Sequence, residues 1–315
     1  MKILIVTDID GWAMDVIASG LKFIFRDIGE IRKAKAGSVN IKEQYDKYDI
    51  IYVMIPSFIP DDLDDYSKIR TTFHGGLAIS GQADYMMAEK LAGRVPKISY
   101  VSRQVKDRII SPKLDKDSLI YTPYGIDPRR FKKKSIAQEK DKIVVGWAGW
   151  AHYMMGKQEN QRRCSWIMRS QQDLIYQLKI AGGSPEYPRS VEIFKELFPG
   201  ISCETYGKND IHTFYENINL YLVPDVFAGG PIPVLEAGLC GVPVITTPCG
   251  ICETLIKHNY NGLVVNTYKE FCLSIKRLID NPDLRRLLGE NLRNDILDSR
   301  TWKSVSNHWK RFLID

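Results

Sequence analysis

No stretch of this 315-residue chain approaches the ~20 consecutive apolar residues that cross a bilayer. The opening MKILIVTDIDGW is too short an apolar run for a secretory leader, and no basic segment feeds a long hydrophobic one. The expectation is a cytoplasmic protein, at most peripheral at the inner face of a membrane. Cysteine is scarce: six residues, scattered as Cys164, Cys203, Cys240, Cys249, Cys252 and Cys272, the usage of a reduced compartment rather than of a disulfide framework. One C-x-x-C, Cys249 to Cys252, lacks a second pair, so a metal there would need distant ligands; two small residues in a loop is the plainer reading. Charge of one sign does not dominate either. Lys plus Arg number 44 and Asp plus Glu 38, a formal excess of +6. That balance favours anions such as nucleotides, acidic substrates or an anionic lipid surface. It is too mild and too evenly spread for nucleic acid, and no aromatic-plus-basic module stands out.

What is present is ordinary globular composition, in a chain long enough for two domains of roughly 150 residues. KILIVTDI is a continuous β-branched run, as in a parallel sheet. A helix over Trp12 to Arg26 follows, with Val16, Ile17, Leu21, Ile24 and Phe25 on its apolar face. YDIIYVMIP, KIRTTFHGG, KISY and SLIYTPYG read as further strands, and a helix starts after Ser102. The charged stretch 127–142, DPRRFKKKSIAQEKDK, breaks the pattern as a linker does. Beyond it a second series begins with KIVVGWAGW, a helix in the 160s and 170s, and the strand of LIYQLKIAGG. The chain closes in helices, the last carrying Trp302, Val305, Trp309 and Phe312 on one face. Strands alternating with helices give right-handed β-α-β units and two doubly wound α/β domains, whose ligands bind at the carboxyl ends of the strands.

The stretch VFAGGPIPVLEAGLCGVPVITTPCG, residues 226–250, concentrates the chemistry. A strand ends, a glycine-rich turn follows, and a helix begins. Gly229 and Gly230 permit positive φ and close approach of a ligand. Pro231 and Pro233 suit a helix's first turn, around Ile232 and Val234. The free N–H groups there, with the helix dipole, form an anion site suited to a diphosphate. Glu236, a turn further in, is placed to accept hydrogen bonds from a ribose diol, or is simply a solvated glutamate behind a capping turn.

From Gly229 through Val265 this region resembles the C-terminal signature of glycosyltransferase family 4, the retaining GT-B enzymes of the glycosyl transferases group 1. The pattern there reads roughly E-G-x-x-x-P-x-x-E-A-x-x-x-G-x-P-V, followed by G-G-x-x-E and N-G-x-L-V. GWAGW with Lys157, LKIAGG, TPYGIDPRRFKK and RTWKSVSNHW resemble further landmarks in the right order; the third matches P-N-G-V-D-x-x-x-F.

The resemblance implies a GT-B fold: an acceptor-side domain over 1–138 with a returning helix over 300–315, and a nucleotide-sugar domain over 139–299. It implies transfer of a sugar from a nucleotide sugar, with retention, no essential metal and no cofactor. The acceptor, whether glycan, lipid-linked or protein, is unreadable. By that resemblance His74 and Lys157 are the catalytic candidates. Gly11, Gly229, Gly230, Pro231, Ile232, Pro233, Val234, Glu236, Gly250 and Glu253 are the donor-binding ones. TYGKND, 205–210, is a neighbour of the nucleotide base. Two departures stand out. Ala228 occupies the place of the first of two acids eight apart, with Asp225 three residues upstream. Trp150 stands where the pattern has Arg, with Arg162 and Arg163 as substitutes.

Three other readings compete. ILIVTDIDGW resembles the first motif of haloacid dehalogenase-like phosphatases, but the later lysine and acidic pair are not in order. A nucleotide-sugar epimerase keeps the same shape. A non-catalytic binding or partner protein is motivated by Ala228 and Trp150.

Overall fold

The computed structural model describes residues 1–8, 13–75, 81–133, 143–149, 158–174, 176–181, 189–197, 202–206 and 209–315. They divide into two compact units. One comprises Met1–Ile126, Ala228–Gly230 and Arg300–Asp315; the other Asp127–Phe227 and Pro231–Ser299.

In the first unit, six parallel strands run in the order β2-β1-β3-β4-β5-β6: β1 Lys2–Thr7, β2 Glu30–Lys35, β3 Ile50–Val53, β4 Ile69–Phe73, β5 Lys97–Tyr100 and β6 Leu119–Tyr121. Helices α1 Ala13–Ile24, α2 Ile41–Gln44, α3 Gln82–Leu91 and α4 Arg103–Ile109 connect them. The helix expected from Trp12 thus spans Ala13–Ile24 among the described residues. Ser102 caps α4, its hydroxyl accepting from Val105 N–H at 3.4 Å. β2 has no apolar alternation to announce it. EIRKAK buries only Ile31 and pairs on one side, an edge strand whose charged side chains face water. The central strands are buried on both faces. Beneath them runs a ladder of hydroxyls: Tyr52 to Thr72 at 2.7 Å, Thr72 to Ser99 at 2.6 Å, and Thr122 donating to Ser99 at 2.9 Å. Each hydroxyl has a partner, which removes most of the cost of burying it.

The second unit repeats the plan in the order β12-β11-β10-β7-β8-β9. Its strands are β7 Val144–Ala148, β8 Gln177–Ala181, β9 Ser202–Glu204, β10 Leu220–Val223, β11 Val244–Thr246 and β12 Leu263–Val264. Its helices are α5 Gln158–Asp173, α6 Arg189–Leu197, α7 Ile211–Glu216, α8 Ile232–Leu239, α9 Cys252–Leu255, α10 Tyr268–Asp280 and α11 Pro282–Ser299. Thr267 and Glu270 form a reciprocal capping box at the start of α10.

The stretch read as a linker opens as packed structure. Asp127 accepts from Arg129 N–H, Pro128–Arg130 form a 3-10 turn, and Phe131 is buried edge-on against Tyr215, centroids 6.1 Å apart. One aromatic inside a charged run is enough to anchor it. Residues 134–142 lie outside the described set.

The last helix, α12 Trp302–Leu313, belongs to the first unit. The four residues expected on its apolar face are all buried. Trp309 and Phe312 meet the Tyr52 ring at 6.0 and 5.5 Å between centroids, and Trp309 Nε1 donates to the Pro123 carbonyl at 2.9 Å. Trp302 lies against Gly20 and Gly125. A Cβ at either would come within 1.9 or 2.7 Å of its ring. Burying these four side chains contributes on the order of 8 kcal/mol of hydrophobic free energy before entropy is counted.

Candidate functional site

In the second unit β10 delivers the chain into the 224–231 loop, which enters α8 with Pro231 at the N-cap and Pro233 in the first turn. Pro231 therefore flanks the helix rather than opening it. Glu236 is not solvated. It is only 9% exposed, packed on a helix whose other core residues are Val234, Leu235, Ala237 and Leu239. Burial pushes its carboxyl up from the ordinary range; the Tyr215 hydroxyl and the charge of Arg130 pull the other way. The Tyr215 hydroxyl donates to Glu236 Oε2 at 2.7 Å. A hydrogen bond to an ionised acceptor is worth about 1.5–3 kcal/mol, so this phenol is what makes a carboxylate tolerable there. Nearby, Thr247 donates to the Asp225 carbonyl, and the Tyr221 hydroxyl donates to the Ala148 carbonyl at 3.3 Å. Gly250 turns the chain with φ 51°, ahead of Glu253, which is exposed in the first turn of α9.

The C-x-x-C is settled by the same packing. Cys249 and Cys252 are fully buried free thiols. Their mutual contact and burial push the Cys249 thiol well up, so the reactive thiolate is disfavoured.

In the first unit His74 follows β4 and is half-buried. Its Nδ1 lies 2.6 Å from the Tyr124 hydroxyl, and the two rings stack at 5.7 Å with a 20° tilt. Its Nε2 is buried and makes no well-aligned hydrogen bond among the described residues, although the Met54 backbone favours its charged form. Burial wins: the imidazole pKa is pushed down to about 3, so the ring is neutral at physiological pH. Gly229 and Gly230 lie in the same unit. Neither takes positive φ, contrary to expectation. Their need is for space. A Cβ on Gly229 would sit 1.4 Å from the His74 carbonyl oxygen, and one on Gly230 would sit 2.3 Å from the Tyr124 ring.

Residues 166–295 match the family described as glycosyl transferases group 1. That stretch is less than half of the chain, so it shows a likeness of this part to the glycosyl transferases group 1. It is 28% identical over 120 residues to the Campylobacter jejuni N,N'-diacetylbacillosaminyl-diphospho-undecaprenol alpha-1,3-N-acetylgalactosaminyltransferase, covering 38% of this chain and 32% of that protein. It is 24% identical over 256 residues to the Staphylococcus aureus capsular polysaccharide biosynthesis glycosyltransferase CapM, covering 73% of this chain and 65% of that one. The matched stretches thus span less than two thirds of these relatives' own lengths. Among solved structures, Anabaena HepE in complex with UDP and glucose superimposes with TM-score 0.75 over 99% of both chains at 13% identity. The fold is GT-B, two Rossmann-like α/β units.

The structure places Gly229 and Gly230 beside His74 in the first unit. Pro231, Ile232, Pro233, Val234 and Glu236 lie together at α8 in the second, and Gly250 and Glu253 at α9. Gly11, Trp150 and Lys157 lie outside the described residues. Arg162 and Arg163 fall in α5. Ala228 stands directly before Gly229, half-buried, in the first unit.

Sequence reasoning missed Tyr215, Tyr124 and Arg130. Tyr215 had a signal: Phe214 and Tyr215 are adjacent aromatics on a six-residue helix, and one brings a hydroxyl that must find a partner inside. Tyr124 had another: it stands in TPYG where the family pattern has Asn. Arg130 also borders a cleft of about 380 Å³ in the second unit with Lys132, Asn209 and His212. Asn209 belongs to the stretch expected beside the base. No helix among the described residues is long and apolar enough to cross a membrane.

Proposed function

We propose that this chain is a glycosyltransferase of the group 1 type that moves a sugar from a nucleotide-diphosphate sugar to an acceptor hydroxyl, with retention at the anomeric carbon. The observation that carries the reading is Glu236. A carboxylate this buried, on a helix entered through a Gly-Gly-Pro turn and held by a phenol, is costly for stability and suited to gripping a ribose diol. The N-terminus of α8 receives the diphosphate. Its free N–H groups, with Lys157 as the cation, stabilise the charge that grows as the nucleoside diphosphate departs. His74 serves the donor-sugar side as a neutral hydrogen-bonding group. The reading calls for no metal and no cofactor. The Campylobacter relative is named for an undecaprenol-diphosphate-linked acceptor and HepE was solved with UDP. On that support we take a uridine nucleotide sugar and a lipid-linked acceptor, met by an enzyme at the inner face of a membrane, as the first pair to try.

The test is a thermal-shift screen across UDP-, GDP-, ADP- and dTDP-sugars, followed by transfer and hydrolysis assays with the best binder. A ligand held by the native state raises stability by about 2.7 kcal/mol at a hundred times its Kd. Binding by one class, lost in Glu236→Ala, is the expected result. No shift with any nucleotide sugar would end the reading. Ala228 and Trp150 sustain a second one, a nucleotide-sugar-binding protein without turnover. Its mark would be a thermal shift with no transfer or hydrolysis.

A further inference from the structure

We infer that Tyr124 is the positioning residue for His74: its hydroxyl fixes which imidazole nitrogen carries the proton, and helix α12 fixes Tyr124. The inference rests on the donor-site reading of His74 given above.

The chain of contacts is continuous within the first unit. Pro123, Tyr124 and Gly125 follow β6, and α12 grips them on both sides. Trp309 Nε1 donates to the Pro123 carbonyl at 2.9 Å, and Trp302 presses on Gly125, where a Cβ would come within 2.7 Å of its ring. The next residue is pinned as well, Ile126 N–H donating to the Arg300 carbonyl at 2.8 Å. Tyr124, 2% exposed, has little freedom left, and its ring stacks on His74 with the hydroxyl 2.6 Å from Nδ1. A neutral imidazole offers one donor and one acceptor nitrogen. A phenol is a better donor than acceptor and an unprotonated ring nitrogen is a good acceptor. The Tyr124 O–H therefore donates to Nδ1, and the proton sits on Nε2. That leaves the proton on Nε2, which is buried, in a ring that the Met54 backbone also hydrogen-bonds.

The same geometry explains two sequence features together. Gly230 is small because the Tyr124 ring occupies the place of its Cβ, and Gly229 because the His74 carbonyl occupies the place of its own. The loop that carries Ala228, where the family pattern has an acid, is therefore seated on an uncharged His–Tyr pair.

Long-range ¹H–¹⁵N NMR on the full chain reads the tautomer directly, and with five histidines in the sequence the assignment is tractable. The wild type is expected to show His74 with Nδ1 unprotonated and Nε2 protonated. In Tyr124→Phe, which keeps the ring and removes only the hydroxyl, both tautomers appear and the His74 titration midpoint rises. In parallel, kcat and KM are measured for the nucleotide sugar giving the largest thermal shift. Tyr124→Phe and His74→Asn each lower kcat/KM by about tenfold, the loss of one well-made hydrogen bond. The double variant loses no more than either alone, because Tyr124 acts through His74. An unchanged tautomer in Tyr124→Phe, or losses that multiply in the double variant, would overturn the inference. If wild-type protein turns over no nucleotide sugar, the functional reading fails, while the NMR result still decides what Tyr124 does.

Discussion

Tyr124 and Tyr215 each bring a buried hydroxyl to a titratable side chain, His74 in one unit and Glu236 in the other. The distances are nearly equal, 2.6 and 2.7 Å, but the electrostatics are opposite. Burial drives His74 toward its neutral form, and what opposes it is an uncharged group, the Met54 backbone. Burial drives Glu236 toward its neutral form too, but Tyr215 and Arg130 hold it back. One cluster is built to have no charge. The other is built to keep a charge where it is expensive. Under the proposed function, the ionic acceptor is the one that would suit a ribose diol.

The largest effect expected lies at the neutral cluster. Gly229→Ala places a methyl 1.4 Å from a backbone carbonyl, which cannot rotate away as a side chain can. Overpacking of this kind costs about 3 kcal/mol, and donor binding should be lost with it. Gly230→Ala meets the Tyr124 ring instead, which can tilt, and should cost about 1–2 kcal/mol. Chemical denaturation of both variants checks the ranking. Equal costs would mean that the loop moves freely and is not seated on His74.

Next comes Tyr215→Phe. Removing the donor from a buried carboxylate costs about 1–3 kcal/mol and raises the Glu236 pKa further, so nucleotide affinity should fall about tenfold. Tyr124→Phe, acting on a neutral pair, should cost about 1 kcal/mol of stability or less. The difference between the two phenol deletions, read by thermal unfolding at pH 7, measures how unlike the clusters are. If Tyr124→Phe proved the more destabilising, the division into neutral and ionic sides would be wrong.

Much of this is legible in the sequence. Continuous β-branched runs named the central strands, and Trp302, Val305, Trp309 and Phe312 fall one turn apart on the last helix, so its buried face was readable. β2 was not, because an edge strand of charged residues shows no alternation. The place of Glu236 beside a helix start was readable from Gly-Gly-Pro spacing, but its burial was not. That depends on Tyr215, twenty-one residues away in sequence and joined only by the parallel sheet. Tyr124 is fifty residues from His74, and no local pattern links a residue after β4 to one after β6. Phe131 shows the same limit in the other direction: a charged run looked like a linker because one anchoring side chain barely alters composition.

Glu236→Gln sharpens the ionic side. The amide keeps an acceptor for Tyr215 and removes the buried charge. A carboxyl with a raised folded-state pKa lends most stability when protonated, so wild-type stability falls as pH rises through that pKa. The Gln variant lacks this fall. It should gain stability relative to wild type toward pH 8 and lose the advantage at low pH, while binding nucleotide about tenfold more weakly for want of the carboxylate. Parallel unfolding curves across pH for the two proteins would show instead that Glu236 is already neutral.

The smallest effect belongs to His74 and has the opposite sign with pH. Its folded pKa, about 3, lies below its ordinary 6.5. Between those values the unfolded chain takes a proton that the folded one refuses, so stability contributed above pH 6.5 drains away as the solution is acidified. At neutral pH nothing changes, because the ring is neutral in both states. His74→Gln should therefore leave unfolding at pH 7.5 within about 1 kcal/mol of wild type, the value of the lost Tyr124 contact. It should also flatten the acid limb between pH 6.5 and pH 4. An unflattened limb would mean that the ring protonates in place, and the neutral side of the comparison would then carry charge exactly when the ionic side loses its own.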